Sequence, residues 1–275
     1  MRPTSFVAAL LCSFLVIGCG DAAQTDDVIY VDEPPGEKLL QTATDTRQLG
    51  LLMRHFQSEQ IDSFCGVASS VMVLNALWDA RRVVAPHSPG IYPCKDFDQI
   101  NFFTADLQYQ MLKFEPPKKL HHIMGSGMTL DELSNILKVK AVPATVATYH
   151  VDRTSLKRFR ELAVAALKSN DQYVIVNFAR TELDQKGGGH FSPLAAYDKQ
   201  TDRFLILDVA RYKYPPAWAK AGQLWNAMNT TDTSVSKQRG FVVVTAPKQT
   251  VQSVDCTRDC PDPKSTAARS EFFGK

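Results

Sequence analysis

The sequence has almost no charge imbalance, few cysteines, and no long apolar run after its N-terminus. Its 275 residues carry 31 basic and 29 acidic side chains, a formal net charge of +2, which gives no reason to expect nucleic acid as a partner. No apolar run beyond the N-terminus is long enough to cross a bilayer, and there is neither an internal repeat nor a low-complexity segment. The length then favours a single large domain.

Cysteine is scarce, and its six copies fall into three pairs along the chain: Cys12 and Cys19, Cys65 and Cys94, and Cys256 and Cys260. The last two form the motif C-T-R-D-C. In an exported protein this pair can oxidise to a disulfide, and its spacing would also suit a soft metal ion. Because no histidine pair or second cysteine pair lies nearby, metal is the weaker interpretation, and we expect no metal held by protein ligands.

The N-terminus has the pattern of an export signal. Arg2 precedes an almost wholly apolar stretch, residues 6–17, that is short for a membrane helix. The segment then ends in V-I-G-C at Cys19, which resembles the lipobox of bacterial lipoproteins, whose cysteine is lipidated. We therefore predict a signal over residues 1–19 and an exported protein, periplasmic or anchored to the membrane of a bacterium as a lipoprotein. The alternative is an ordinary signal in which Cys19 is incidental.

Composition divides the rest of the chain into three parts. Residues 20–37 are acidic and contain two prolines, which is typical of a linker. Residues 38–248 hold the periodic segments and form the predicted globular domain. Residues 249–275 are polar, and we predict that they form a mobile tail.

The stretch S-F-C-G-V-A-S-S-V-M-V-L-N-A-L, residues 63–77, organises the rest of the sequence. Val67, Val71 and Leu74 recur at helical spacing, so we predict a helix with one apolar face that begins near Cys65. Helical N–H groups and the positive end of the helix dipole would stabilise a thiolate there, which is the nucleophilic form of cysteine. The alternative is that Cys65 is a small and inert core residue.

The second half of the chain changes character. β-branched and aromatic runs bounded by turn residues predict an antiparallel sheet, with strands over 173–178, 191–197, 203–209 and 241–244. The triplet Gln200-Thr201-Asp202 predicts a tight hairpin between the second and third of these strands. A helical half that carries the cysteine and a sheet half predict an α+β fold with a cleft between them.

A histidine and an aspartate on the predicted hairpin can reach the cysteine. His190 follows three glycines at the start of its strand, and Asp208 lies at the end of the next strand. Such a set is the arrangement of thiol proteases and acyltransferases, in which His190 would deprotonate Cys65 and Asp208 would orient the imidazole. Taken singly, His190 would be an ordinary loop histidine and Asp208 a carboxylate that bonds the backbone.

An acyl-transfer site also needs hydrogen-bond donors for the oxyanion. The backbone N–H of Cys65 is one, and a glutamine shortly before the cysteine would supply the other. Gln60 and Gln57 are both available, and we prefer Gln60. The alternative for each is a solvated loop residue.

Four long motifs stand in order along the chain: F-C-G-V-A-S-S-V-M-V-L-N-A-L, G-M-T-L-D-E-L, G-G-G-H-F-S-P-L-A-A-Y and T-D-R-F-L-I-L-D-V-A-R-Y-K-Y-P-P-A-W. Together they resemble the catalytic domain of phytochelatin synthases, also called glutathione γ-glutamylcysteinyltransferases, over residues 39–245. The resemblance implies a papain-like cysteine protease fold. It also implies that the family's nucleophile, base and orienting aspartate fall on Cys65, His190 and Asp208.

The resemblance further implies a binding pair for the γ-glutamyl group of the substrate, which falls on Asp232 and Arg239. A carboxylate suits a free α-amine, and a guanidinium suits a free α-carboxylate. Without the family, these two residues would be interpreted as a surface ion pair. Arg180, at the end of its strand, is a candidate for the glycine carboxylate or is a solvated charge. One departure is Glu59, at the position six residues before the cysteine where the family carries its oxyanion glutamine.

The implied reaction is cleavage of the Cys–Gly bond of glutathione through a γ-glutamylcysteinyl thioester on Cys65. The acyl group then passes to a second glutathione, giving a phytochelatin, or to water. No tightly bound cofactor is implied, and cadmium or zinc would enter as glutathione thiolate complexes. As partners we expect glutathione as donor and acceptor, no nucleic acid, and a membrane reached through a lipidated Cys19; a homodimer is compatible with the sequence. With only Cys256 and Cys260 after the catalytic region, the chain resembles the short bacterial members, which tend to favour hydrolysis.

Two other interpretations stay open. An exported cysteine peptidase acting on peptides or on other γ-glutamyl thiols would share the triad but would not need Asp232 and Arg239. A non-enzymatic lipoprotein that binds thiols or metals would use Cys65, Cys94 and the two cysteines of the tail. Its metal uptake would persist when His190 is replaced.

Overall fold

The computed structural model of the protein describes residues 28–81, 96–141 and 144–247. The predicted signal, Cys94, and the tail with Cys256 and Cys260 lie outside these ranges. Its helices are α1 (Pro34–Thr42), α2 (Leu49–Arg54), α3 (Cys65–Arg81), α4 (Ala105–Met111), α5 (Leu120–Ser126), α6 (Leu130–Lys140), α7 (Leu156–Leu167) and α8 (Ala221–Met228). Its strands are β1 (Ile29–Tyr30), β2 (Thr145–His150), β3 (Gln172–Ala179), β4 (Gly189–Asp198), β5 (Arg203–Ile206), β6 (Ala217–Lys220), β7 (Thr231–Asp232), β8 (Lys237–Gln238) and β9 (Gly240–Thr245).

Helix α3 lies at the centre of the molecule. The predicted apolar positions Val67, Val71 and Leu74 are fully buried, but so are Met72 and Val73 on the other sides of the helix. The prediction of one apolar face was therefore too narrow, because α3 packs against β3 and β4 on one side and against α2 on another. A helix surrounded in this way is apolar all round.

Seven strands form an antiparallel sheet in the order β1-β6-β5-β4-β3-β9-β2. Strand β3 shows why both faces of the sheet are covered. Tyr173 and Ile175 belong to the hydrophobic cluster around α3, whereas Val174 and Val176 belong to the cluster with α7 and α8. Successive side chains of a strand point to opposite faces, so a continuous apolar run of this kind is a strand between two helical layers. The predicted α+β class is confirmed.

The predicted hairpin between β4 and β5 is also present. Asp198 accepts hydrogen bonds from the backbone N–H and the hydroxyl of Thr201, at 2.8 and 2.7 Å, and Asp202 has a positive φ of 53°. Aspartate tolerates that conformation and bonds its own backbone in turns. Strand β5 ends at Ile206 rather than at the predicted residue 209, so Asp208 lies just beyond it.

The predicted linker over residues 20–37 is wrong in its second part. Ile29 and Tyr30 form β1, which pairs with Trp218 and Ala217 of β6 at the edge of the sheet, and α1 begins at Pro34. Tyr30 also stacks on Tyr214, with ring centroids 6.2 Å apart. Hydrogen bonding to a free sheet edge explains why an acidic, proline-containing segment is held in the fold.

Of the helices that the structure describes, none combines the length and the apolar character that crossing a membrane requires.

Candidate active site

Cys65 is the first residue of α3, and only 8% of it is exposed. The loop before it is tied down by Ser63, whose hydroxyl donates to the carbonyl of Met124 at 2.8 Å. The next residue, Gly66, lies in a crowded position, since a Cβ there would be 2.5 Å from Met128 Cε. The sequence correctly predicted that the cysteine starts a buried helix.

The thiol of Cys65 is held in its protonated form. Burial raises its pKa to about 12, the neighbouring Glu59 adds to this rise, and backbone N–H groups of Phe191 and Gly66 oppose it. The backbone donors at the helix start favour the thiolate, as expected, but desolvation of the sulfur outweighs them. Reaction at this cysteine needs a base that removes the proton.

His190 supplies a ring nitrogen beside the thiol. It lies on β4 and is buried, and one of its ring nitrogens is within 4.8 Å of Cys65 Sγ. Nε2 is 2.9 Å from Asp208 Oδ1, so the carboxylate fixes the tautomer in which Nε2 carries the proton and Nδ1 is basic. Burial lowers the pKa of His190 despite Asp208, which keeps the imidazole neutral. The structure brings together the three residues predicted as a triad.

Asp208 is a buried carboxylate with several partners. Arg180 approaches it with both terminal nitrogens, at 2.8 and 2.9 Å, and the backbone N–H of Ala210 donates to it at 2.8 Å. Burial raises the pKa of Asp208, but the hydrogen bonds and charges of His190 and Arg180 outweigh burial and hold it well below its usual range. Asp208 is therefore ionised when it meets the imidazole.

Arg180 was predicted to bind a substrate carboxylate, and the structure places its guanidinium elsewhere. The side chain is 4% exposed, and besides Asp208 it donates to Gln185 Oε1 at 2.6 Å and lies over the ring of Tyr214. The guanidinium of Arg180 supplies the positive charge that the buried carboxylate of Asp208 needs. This arrangement leaves the predicted glycine-carboxylate role of Arg180 without structural support.

Gln60, the preferred oxyanion donor, has an exposed side chain, and only its backbone N–H bonds to Gln99. Gln57 is also engaged with Gln99. The side chain that reaches the thiol is Glu59, which is 5% exposed and has a carboxylate oxygen within 4.8 Å of both Cys65 Sγ and a ring nitrogen of His190. The structure therefore does not bring Gln60 to the site, because its side chain is exposed and the buried side chain of Glu59 lies beside the sulfur instead.

Glu59 shares a tyrosine with a second acid. The hydroxyl of Tyr212 lies 2.8 Å from Glu59 Oε1 and 2.7 Å from Asp62 Oδ1. One phenol proton can serve only one of these oxygens at a time. The hydrogen bond from Tyr212 lowers the pKa of the exposed Asp62, whereas burial raises the pKa of Glu59. Burial therefore favours the protonated form of Glu59 more than that of Asp62.

An open cleft of about 520 Å³ is lined by Cys65, Asp232 and Arg239. The two side chains have separate partners: Asp232 accepts from the hydroxyl of Ser234 at 2.6 Å, and Arg239 donates to the carbonyl of Thr231 at 2.7 Å. They are therefore not the surface ion pair that is the alternative interpretation. Arg239 Nε is buried and has no hydrogen-bond partner among the described residues.

Asn177 is a site residue that the sequence analysis did not identify. It lies on β3, lines the same cleft, and donates through Nδ2 to the carbonyl of His190 at 3.2 Å. Its Oδ1 is buried without a hydrogen-bond partner in the described part of the chain. A lone amide inside the apolar run Y-V-I-V-N-F-A was the signal that could have identified it, since buried polar groups are normally paired.

Comparison with known proteins identifies the family to which the chain belongs. A family model described as phytochelatin synthase matches residues 22–241. Glutathione gamma-glutamylcysteinyltransferase 1 of Triticum aestivum is 35% identical over 193 residues, covering 70% of this chain and 35% of that protein. The protein of the same name from Lotus japonicus is 35% identical over 196 residues, covering 71% and 35%. Glutathione gamma-glutamylcysteinyltransferase of Schizosaccharomyces pombe is 25% identical over 194 residues, covering 70% and 42%. The chain thus spans about a third of the length of the first two relatives.

Proposed function

Because the chain belongs to the phytochelatin synthase family, we propose that it cleaves the Cys–Gly bond of glutathione and holds the γ-glutamylcysteinyl group as a thioester on Cys65. The relatives described above are named glutathione gamma-glutamylcysteinyltransferases, which supports glutathione as the substrate. The papain-like fold and the export of the protein as a lipoprotein belong to the same proposal.

The observation that carries the proposal is the shared cleft. Cys65, Asp232 and Arg239 all line it. Glutathione has a free α-amine and a free α-carboxylate on its γ-glutamyl end, and these match a carboxylate and a guanidinium. The scissile bond lies toward the opposite end of the tripeptide, so the same cleft can hold the γ-glutamyl group while Cys65 attacks. A cavity of about 520 Å³ is in the range of small-molecule sites.

Acylation follows from the protonation states of the site. His190 takes the proton of the Cys65 thiol, and the sulfur attacks the carbonyl carbon of the Cys–Gly bond. The imidazolium, stabilised by Asp208, then gives the proton to the departing glycine nitrogen. The backbone N–H of Cys65 belongs to the first turn of α3 and has no intrahelical partner, so it is available to the oxyanion.

Deacylation repeats these steps with a different nucleophile. His190 takes a proton from water or from the amine of a second glutathione, and that nucleophile attacks the thioester carbonyl. Cys65 leaves and is reprotonated by the imidazolium. Water yields γ-glutamylcysteine, and glutathione yields a phytochelatin. Cadmium or zinc bound to glutathione thiols would enter as part of the substrate.

Mass spectrometry of the purified protein after incubation with glutathione tests the proposal, with and without cadmium. We expect a γ-glutamylcysteinyl adduct on Cys65 and free glycine in solution. Phytochelatins in solution would identify a transferase, and γ-glutamylcysteine alone would identify a hydrolase. The matched control is an incubation of the His190→Ala variant, which should form no adduct. A wild-type protein with neither adduct nor product would overturn the proposal and favour a peptidase or a binding protein.

A further inference from the structure

Three different metal-ligating groups meet beside α3. A carboxylate oxygen of Glu59, the sulfur of Cys65 and a ring nitrogen of His190 lie within 4.8 Å of one another, and all three residues are buried. In the proposed reaction the sulfur and the ring nitrogen have catalytic roles, but the carboxylate of Glu59 has none. Glu59 is therefore the part of this cluster that still needs an explanation.

The two carboxylate oxygens of Glu59 differ in their hydrogen bonding. Oε1 is engaged by Tyr212, but Oε2 is buried and has no hydrogen-bond partner among the described residues. Leaving a buried oxygen unpaired costs about 1–3 kcal/mol, so such an atom signals a ligand or a function. The backbone N–H of Glu59 is held by the carbonyl of Val209 at 2.8 Å, which fixes the residue beside Asp208 and the site.

We propose that Glu59, Cys65 and His190 together bind a divalent cation that accepts sulfur, nitrogen and oxygen ligands, for which Zn²⁺ is the probe. Zn²⁺ accepts cysteine sulfur, histidine nitrogen and carboxylate oxygen as ligands. Where a protein supplies three of its ligands, the fourth position stays open to water or substrate. The fourth position here would face the cleft, which Cys65 lines. This is a site held by the protein itself, which the sequence analysis did not expect.

The geometry of the cluster requires only a small adjustment. Zinc bonds of about 2.0–2.3 Å in tetrahedral geometry place ligand atoms about 3.5 Å apart, so the three atoms must close by no more than about 1.3 Å. Asp208 remains on Nε2 of His190 and orients Nδ1 toward the metal, as carboxylates do behind zinc-bound histidines. The metal binds the thiolate of Cys65 and the carboxylate of Glu59, and any proton displaced from these groups goes to solvent without any redox change.

The consequence rests on the proposed function. A cation on the sulfur and on the imidazole occupies both the nucleophile and the base, so it would stop acylation. An enzyme that consumes metal–glutathione complexes would then be inhibited by the free cation. Glutathione in excess would compete for that cation and restore turnover, which couples activity to the ratio of thiol to metal.

The test uses the full-length chain without glutathione. We expect Zn²⁺ to bind in isothermal titration and to protect Cys65 from iodoacetamide, as located by peptide mass spectrometry, with protection reversed by chelator. Peptide mapping separates Cys65 from the other cysteines. In the Glu59→Gln variant the Kd should rise at least about tenfold, because one ligand is lost. In Cys65→Ser, the Co²⁺ form should lose the sulfur-to-metal absorption band that the wild type shows.

Glu132→Gln is the matched control, since Glu132 lines the same cleft and undergoes the same substitution but is outside the cluster. Its Kd should equal that of the wild type, and thermal unfolding checks that each variant is folded. Equal Kd values for wild type and Glu59→Gln, or no protection of Cys65, would overturn the proposal. Turnover is measured separately, so a protein that binds zinc but does not cleave glutathione would contradict only the proposed function.

Discussion

Two groups of residues at the site are built in opposite ways. In the buried group, Cys65, His190 and Asp208 are enclosed by the fold, and Asp208 is hydrogen-bonded both to His190 and to Arg180. In the open group, Asp232 lies on the short hairpin of β7 and β8 and is partly exposed, and so is Arg239 just after it.

This difference follows from what each group must do. Proton transfer needs side chains whose pKa values and orientations are set before the substrate arrives, and burial with fixed partners provides both. Recognition of a charged substrate needs side chains that the substrate can reach, so they stay near the surface. Changes in the buried group should therefore act on kcat and on stability, and changes in the open group on KM.

Replacement of the nucleophile should have the largest effect. Cys65→Ala should lower glutathione cleavage by at least about 10⁴-fold, because no other group can form the thioester. The fold should persist, since only the sulfur is removed from a site that still holds a methyl group. The measurement is glycine release together with thermal unfolding. Activity retained in a folded variant would contradict the mechanism.

Removal of the guanidinium behind the triad should affect stability as well as kcat. Arg180→Met leaves Asp208 with a buried charge and fewer partners, so the free energy of unfolding should fall by about 3–5 kcal/mol. Denaturant unfolding measures it. Arg153→Met is the control, because that side chain is 82% exposed and should change stability by less than about 0.5 kcal/mol. Equal stability of the two variants would show that Arg180 does not support Asp208.

In the open group, Arg239→Ala should raise the KM for glutathione about 10–100-fold, with a smaller change in kcat. The reason is the loss of a charged hydrogen bond to the substrate, which contributes about 1.5–3 kcal/mol. Steady-state kinetics measures both constants. Lys237→Ala on the same hairpin is the control, because Lys237 bonds to Asp131 at 2.7 Å and does not line the cleft. If KM is unchanged in Arg239→Ala, the γ-glutamyl assignment is wrong.

The last prediction concerns the pH dependence of the thiol of Cys65. Because burial raises the pKa of Cys65 to about 12, its thiolate fraction should grow about tenfold with each pH unit through pH 7–10. The rate of alkylation of Cys65, followed by peptide mass spectrometry, should rise over this whole range without levelling off. A free cysteine thiol levels off near its pKa of about 8.5 and serves as the control. A plateau at lower pH for Cys65 would indicate a resting thiolate.

Local patterns were sufficient for most of the fold. The strand runs and the turn at Gln200-Thr201-Asp202 predicted the β4–β5 hairpin, and with it the meeting of His190 and Asp208. Periodicity also located α3 with Cys65 at its start. These features depend on residues close in sequence, where spacing and turn chemistry decide the outcome.

Distant contacts decided the rest. The raised pKa values of Cys65 and Glu59 depend on how deeply each is buried, and the role of Arg180 depends on which carboxylate packs against it. The attachment of residues 29 and 30 depends on a free edge at β6. The sequence by itself determined which chemical groups this protein has and on which elements they lie. Only the tertiary structure decided their charge and their partners, because desolvation and long-range pairing arise when the whole chain packs together.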